Sequence, residues 1–382
     1  MNDKIEMICN NWLKEKVDNF SGVLSITNDE DVIYQQSFGF RNRAEQLLNE
    51  IDTAFAIPTG TKFFIGLAVC KLLDEKKISL DDILANILSC ESGAISSNVT
   101  IKHLLTHNSG GVGIYINEES EKFLKDLYAK YPGYLWETDL YSLGMSNYAM
   151  DSEWILKDFF AIYPSYRWET IEYNSLSDIL DPNVVHKEKF RYSCARYVLL
   201  ILVIEAVSGT SFQQFVEDHI ILPCGLERTG FYSMNELPAN TAIKYMFDAD
   251  QWWQFNTPVL GEFDCELFSC VGDWDKLWRA IFDNKILSST MRENFFFKYV
   301  DWEYWDTLYT CGLGINATYV GEKNFYQAEL SNPFPFLSSY FPYTKTAISV
   351  FSNSDAIGAV FNYRSSFDFL INELQSVLGA FT

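Results

Sequence analysis

The order of its elements predicts an α+β protein. One mixed antiparallel sheet is fed from both ends of the chain and flanked by helices, with an α-helical lobe set between the two halves. Three observations carry this. Runs of strand character occur near the start, at 20–27 and 32–38, and return from 307 onward. The long stretch between them has helical periodicity instead of alternation. A last helical pattern, about 356–378, closes the chain. Residues 1–75 and 255–382 are therefore expected to form the sheet lobe, and residues 76–254 a mainly helical lobe.

The first two strands, FSGVLSIT and VIYQQSF, flank the polar turn Asn28-Asp29-Glu30-Asp31, which reads as a hairpin. Residues 59–74 read as a helix entered through Pro58, with Phe63, Phe64, Leu67, Ala68 and Leu72 on its apolar face. Ser79-Leu80-Asp81-Asp82 is expected to cap a short helix. TIKHLLTH reads as helical up to the stop signal Asn108-Ser109-Gly110-Gly111. Residues 195–207 form an apolar helix ending at Ser208-Gly209, and 211–221 a second one ending before Pro223. After 307 four strands are expected, in LYTCGLGINATYV, NFYQAEL, FLSSYFP and TAISVFSN.

An internal repeat interrupts the helical part. KDLYAKYPGYLWET at 125–138 returns as KDFFAIYPSYRWET at 157–170, with Pro132 and Trp136 matched by Pro164 and Trp168. Two copies are too few for a solenoid. They read as a tandem duplication inside an insertion at about 115–180, which either adds packed helices or covers a cleft.

Composition narrows the function. With 382 residues, 48% of them hydrophobic, the chain can bury a large core. Aromatics reach 16%, and many fall between 115 and 173, where they pack a core or line a cleft. A net charge of -22 repels nucleic acid and anionic lipid, so neither is an expected partner. The first residues carry no apolar segment of signal-peptide kind, and the apolar run 197–204 is too short to span a membrane. The eight cysteines lack CxxC spacing, and Cys70, Cys194 and Cys265 lie in apolar surroundings. This pattern suits a reducing, cytoplasmic setting. His103, His107, His186 and His219 form no ligand motif, so neither a metal nor another cofactor is expected.

The most informative run is FAIPTGTKFFIG. Thr59 stands three residues before Lys62 at a strand-to-helix junction, and positions i and i+3 share a helix face. A hydroxyl there sits beside an amine base and at the positive end of the helix, which favours developing negative charge. Thr59 can equally serve as a helix cap. Lys62 can point into a cleft or to solvent.

With FAIPTGTKFF as its S-x-x-K element, the chain resembles the serine β-lactamase and penicillin-binding-protein-like family, nearest its class C and esterase-like branch. FSGVLSITNDEDVIYQQSFGFRNR is similar to that family's opening hairpin, and TIKHLLTHNSGG to the segment after the helix. The block from FRYSCARY to TGFY carries Tyr192 at the tyrosine of a Y-x-N motif. SCVGDWDKLWRAIFDNKILS, CGLGI and SVFSN match later landmarks in the same order. The resemblance implies a β-lactamase/transpeptidase-like fold and acyl transfer on an amide or ester of a small-molecule or peptide-like substrate. A hydroxyl attacks the carbonyl, lysine and tyrosine shuttle its proton, and backbone N–H groups hold the oxyanion.

Three positions depart from the family pattern. Thr59 replaces the serine, and its β-branch stiffens χ1. Cys194 replaces the asparagine of Y-x-N, exchanging a good donor and acceptor for a weak one. Gln327-Ala328-Glu329 stands where the family carries a K/H-T/S-G strand, and Leu330, Phe334 and Phe336 are expected to crowd the cleft. Thr59, Lys62 and Tyr192 are thus the candidate catalytic residues, and Cys194, Gln327, Ala328 and Glu329 the candidate substrate contacts. The expected function is that of a serine-type hydrolase homologue with weak or lost activity. The alternative is a non-catalytic ligand-binding module on the same fold.

Overall fold

The computed structural model describes residues 2–16, 20–29, 31–57, 60–88, 99–107, 194–232, 237–248, 251–255, 267–296, 300–302, 307–310, 313–316, 324–329, 335–354, 370–374 and 377. The duplicated segment lies outside them.

Helix α1 (Asn2–Lys16) precedes the hairpin β1 (Gly22–Asn28) and β2 (Asp31–Phe38). Short strands β3 (Phe40–Asn42), β4 (Leu47–Leu48) and β5 (Phe55–Ala56) lead into α2 (Gly60–Asp74). Helices α3 (Leu84–Ile87), α4 (Ile101–Leu105), α5 (Cys194–Ser208), α6 (Phe212–Val216) and α7 (Leu222–Cys224) follow. Then come β6 (Gly230–Phe231), β7 (Lys244–Asp248), β8 (Gln251–Phe255) and β9 (Leu267–Ser269). Helices α8 (Val271–Phe282) and α9 (Ser289–Phe296) precede the strands of the second half. These are β10 (Val300–Trp302), β11 (Thr307–Thr310), β12 (Leu313–Asn316), β13 (Asn324–Glu329), β14 (Phe336–Phe341) and β15 (Thr346–Ser352).

One sheet of eight strands runs in the order β10-β11-β12-β13-β14-β15-β1-β2, so both ends of the chain do feed it. Its pairings are all antiparallel. Register explains the two-sided burial. Val23 faces Phe351, which faces Phe336; Leu24 faces Val350, which faces Leu337. Because side chains alternate, the first set lies on one face and the second on the other. Leu24, Leu337 and Val350 pack with Ile5, Ile8, Cys9 and Trp12 of α1 and with Leu370 and Leu374. Val23, Phe336 and Phe351 join the core of α2 and α8 on the opposite face.

Helix α8 is amphipathic, with Trp274, Leu277, Trp278 and Ile281 buried along one stripe. The Trp278 indole donates to Ser338 Oγ at 2.9 Å and stacks on Tyr340 at 5.9 Å. Helix α2 is buried nearly all round from Gly60 to Cys70, as befits a helix enclosed by other elements. It packs against α5 on one side and β13 on another.

Several local expectations change. The run at 308–320 is not one strand: β11 and β12 pair with each other, Leu308 opposite Ile315. Ser79 does not cap a helix; its N–H donates to Asp82 Oδ2 at 2.8 Å in a turn, and α3 starts later behind Ile83. Pro223 does not stop the second helix. A π-helical turn, Glu217–Ile221, precedes it and α7 carries it within its first two residues. The wider turn and the N-terminal position spare the proline the usual clash with a preceding carbonyl. Helix α4 closes earlier than expected, with Thr106 as its C-cap and His107 at φ 56°.

Candidate functional site

The entry to α2 is built by β5. Phe55 pairs with Ser269 of β9, Ile57 N–H donates to Leu267 O at 2.9 Å, and Gly60 N–H donates to Ile57 O at 3.0 Å. A Cβ on Gly60 would lie 2.9 Å from Ile57 Cδ1 and 3.2 Å from Phe336 Cζ. The glycine therefore lets the helix start press against the sheet.

Lys62 lies in the first turn of α2 with 0% of its surface exposed. A fully buried lysine is uncommon unless it is paired or used. Its neighbours along the helix, Phe63 and Phe64, enter the aromatic core around Trp274. Thr59 and Tyr192 lie outside the described residues. Cys194 is the first residue of α5, the helix that packs on α2.

Strand β13 packs on α2 and carries the other predicted contacts. Gln327 is buried and stands opposite Ser338, whose hydroxyl accepts from Trp278 on the α2–α8 side of the sheet. Glu329 ends the strand opposite Phe336, the residue whose ring tip reaches Gly60. Ala328 is not brought to α2; it packs with Leu337 in the core beneath α1. Phe336 is fully buried against Trp274 at 5.6 Å and Phe351 at 5.5 Å.

The other landmark motifs are joints of the frame. His103 accepts the Thr100 N–H at 3.1 Å through Nδ1 and closes a capping box on α4. His107 is buried with its ring 5.1 Å from that of Tyr197, whose hydroxyl donates to Leu105 O at 3.2 Å. Asp273, buried at the start of α8, accepts from Arg228 N–H at 2.7 Å and the Thr229 hydroxyl at 2.9 Å. Asn353 accepts from the Ser21 hydroxyl at 2.8 Å and donates to Phe40 O at 3.0 Å and Ile243 O at 2.7 Å. Sequence reasoning left out Gly60, Asp273 and Asn353 as positioning residues. The only signal for them was their place inside matched blocks.

Among the described residues Cys9, Cys70, Cys224 and Cys270 are free thiols, all but Cys224 buried. Burial pushes Cys9 up to about 12 and Cys270 up to about 11, so both stay protonated at neutral pH. No group of three or more potential metal ligands occurs among the described residues. No single helix among them is long and apolar enough to cross a membrane.

Comparison with known proteins bears on the family and the fold. The chain is similar to putative penicillin-binding protein PbpX of Bacillus subtilis (strain 168), 23% identical over 345 residues, covering 90% of this chain and 72% of that protein. It is 25% identical over 233 residues to penicillin-binding protein 4* of the same organism, spanning 60% of this chain and 42% of that protein, less than half its length. The crystal structure of a penicillin binding protein from Bacillus halodurans superposes with a TM-score of 0.71 at 27% identity, covering 96% of this chain and 99% of that one. A family model described as beta-lactamase matches residues 10–142 and 164–355, leaving unmatched a stretch inside the expected insertion. The chain therefore belongs to the beta-lactamase family, with its penicillin-binding-protein-like serine hydrolases, and has the β-lactamase/transpeptidase-like fold.

Proposed function

We propose that this protein is an acyl-transfer hydrolase of that family with its turnover weakened or lost, because Thr59 stands at the serine position. Its substrate class is an amide or ester of a small-molecule or peptide-like compound. The observation that carries the reading is Lys62, held wholly out of solvent in the first turn of α2. It stands three residues after Thr59, at the position of the lysine in the S-x-x-K element, where an amine can exchange a proton with the attacking hydroxyl. In this reading Thr59 Oγ attacks the carbonyl carbon and its proton passes through Lys62 and Tyr192. The tetrahedral intermediate collapses, re-forming the C=O bond as the bond to the leaving group breaks; the leaving group takes the proton, and water then cleaves the acyl-threonine ester, releasing the acid and restoring the hydroxyl.

Cys194, Gln327 and Glu329 are kept as substrate contacts. Ala328 is left out, since it packs on the far face of the sheet. Buried free thiols at Cys9, Cys70 and Cys270 favour a cytoplasmic setting.

The test compares native protein, Thr59→Ser and Lys62→Ala on a chromogenic ester and a cephalosporin. Slow native turnover, a faster serine form and a silent alanine form are expected. No turnover in either the native or the serine form would rule the activity out. The binding-module reading is favoured by one observation: Phe336, the first residue of β14 and opposite Glu329 of β13, fills the space against Gly60. That reading requires ligand-dependent thermal stabilisation without product, and a ligand screen with no shift would sink it.

A further inference from the structure

Arg43 is held in an unusual way. Its guanidinium carbon lies 3.5 Å from the centre of the Trp252 ring and 5.6 Å from that of Tyr245. The Arg43 N–H donates to the Tyr245 hydroxyl at 2.8 Å, so side chain and backbone grip the same ring. Tyr245 is itself fixed, with its N–H donating to Asn353 O at 2.9 Å. Arg43 Nε is buried and has no acceptor among the described residues.

The other arginines with described contacts are all occupied. Arg41 pairs with Glu50, Arg279 with Asp29 and Asp275, and Arg292 with Glu293. Arg228 donates to the carbonyls of Asp52, Ala239 and Asn240. Arg43 alone among these makes no hydrogen bond or ion pair from its guanidinium to a described residue, in a chain with 51 acidic residues. Stacking orders the guanidinium plane in advance and leaves its outer edge as the place for an acceptor. The fork geometry of that edge matches a planar carboxylate bound by two parallel hydrogen bonds. The half-buried Trp252 ring lies directly under that guanidinium, so an apolar body on the ligand would meet an aromatic neighbour there. Burial also lowers the Arg43 pKa, opposed by Tyr245, which reflects a guanidinium partly stripped of water.

We propose that Arg43, Trp252 and Tyr245 form a binding site for an organic carboxylate with an aromatic or apolar body, separate from the residues of α2. The proposal is independent of acyl transfer at Thr59.

The probe is benzoate at about 10 mM and constant ionic strength, read by calorimetry, since one fork and one ring contact support a millimolar Kd. Arg43→Lys keeps the charge but loses the fork, and should weaken binding about ten-fold or more. Unchanged affinity in that variant, or no heat with native protein, overturns the proposal. Inorganic phosphate binding more tightly than benzoate, and lost equally in Arg43→Lys, overturns the carboxylate class. Should Arg43→Lys fail to fold, native crystals soaked in 4-bromobenzoate decide the matter. A bromine anomalous peak beside Trp252, with the carboxylate on Arg43, supports the site, and its absence there refutes it.

Discussion

Replacing Gly60 by alanine should destabilise the protein through Phe336, and the size of the effect follows from the local geometry. The new methyl carbon would meet Ile57 Cδ1 at 2.9 Å, Phe336 Cζ at 3.2 Å and Ile57 Cβ at 3.3 Å. The end of the isoleucine chain can swing aside. The phenylalanine ring has less room, held by Trp274 at 5.6 Å and Phe351 at 5.5 Å. Forcing a methyl into a packed core costs about 1–3 kcal/mol. Alanine's helix preference over glycine returns at most about 1 kcal/mol, and less at the first helical residue. The net loss should be about 1 kcal/mol. In a Phe336→Leu background the ring tip is gone, and the same Gly60→Ala change should become neutral or stabilising. Urea unfolding of the four proteins gives the coupling energy, expected at about 1 kcal/mol. A Gly60→Ala cost equal in both backgrounds would show that the ring is not the obstacle and that strand and helix start are not pressed together there.

Three further outcomes are expected. Thr61 has a buried hydroxyl with no hydrogen-bond partner among the described residues, so Thr61→Val, nearly isosteric, should stabilise by about 1 kcal/mol; a loss in urea midpoint would refute this. Cys9 and Cys270 have folded pKa values raised to about 12 and about 11 by burial, against about 9 when exposed. Their contribution to stability is full below pH 9 and is lost as pH rises toward 11–12, so Tm should fall across that window, and less so in Cys270→Ala. Peptide mapping after alkylation at pH 8 should find both thiols unmodified until denaturant is added.

The sheet and its central helix were legible because their signals are local. VLSIT and AISVF are apolar enough to be central strands, and α2 is apolar all round, as a helix enclosed by other elements must be. Helix α1 was legible too, since Ile5, Ile8, Cys9 and Trp12 follow helical spacing, but its polar composition drew attention to targeting instead. The β11–β12 hairpin hid inside a run that reads continuously as strand. The face of Ala328 could not be read, because a one-residue change of register exchanges the two faces of a strand. The stacking of Arg43 on Trp252 joins two distant hairpins, and no local pattern announces it.

The three departures at the predicted site and the retained Lys62 do not have the same physical weight. The joints that hold the frame are intact and use none of the predicted reacting groups. Asp273 ties α8 to Arg228 and Thr229, and Asn353 ties the end of β15 to Ser21, Phe40 and Ile243. Thr59, Cys194 and the β13 residues can therefore change without cost to these joints. Lys62 is different. Its long side chain is enclosed in the core helix, where burial penalises a charge by several kcal/mol unless partners compensate, and an apolar chain of similar volume would avoid that penalty. Lys62 is the buried lysine on which the proposed acyl transfer or ligand binding over α2 rests.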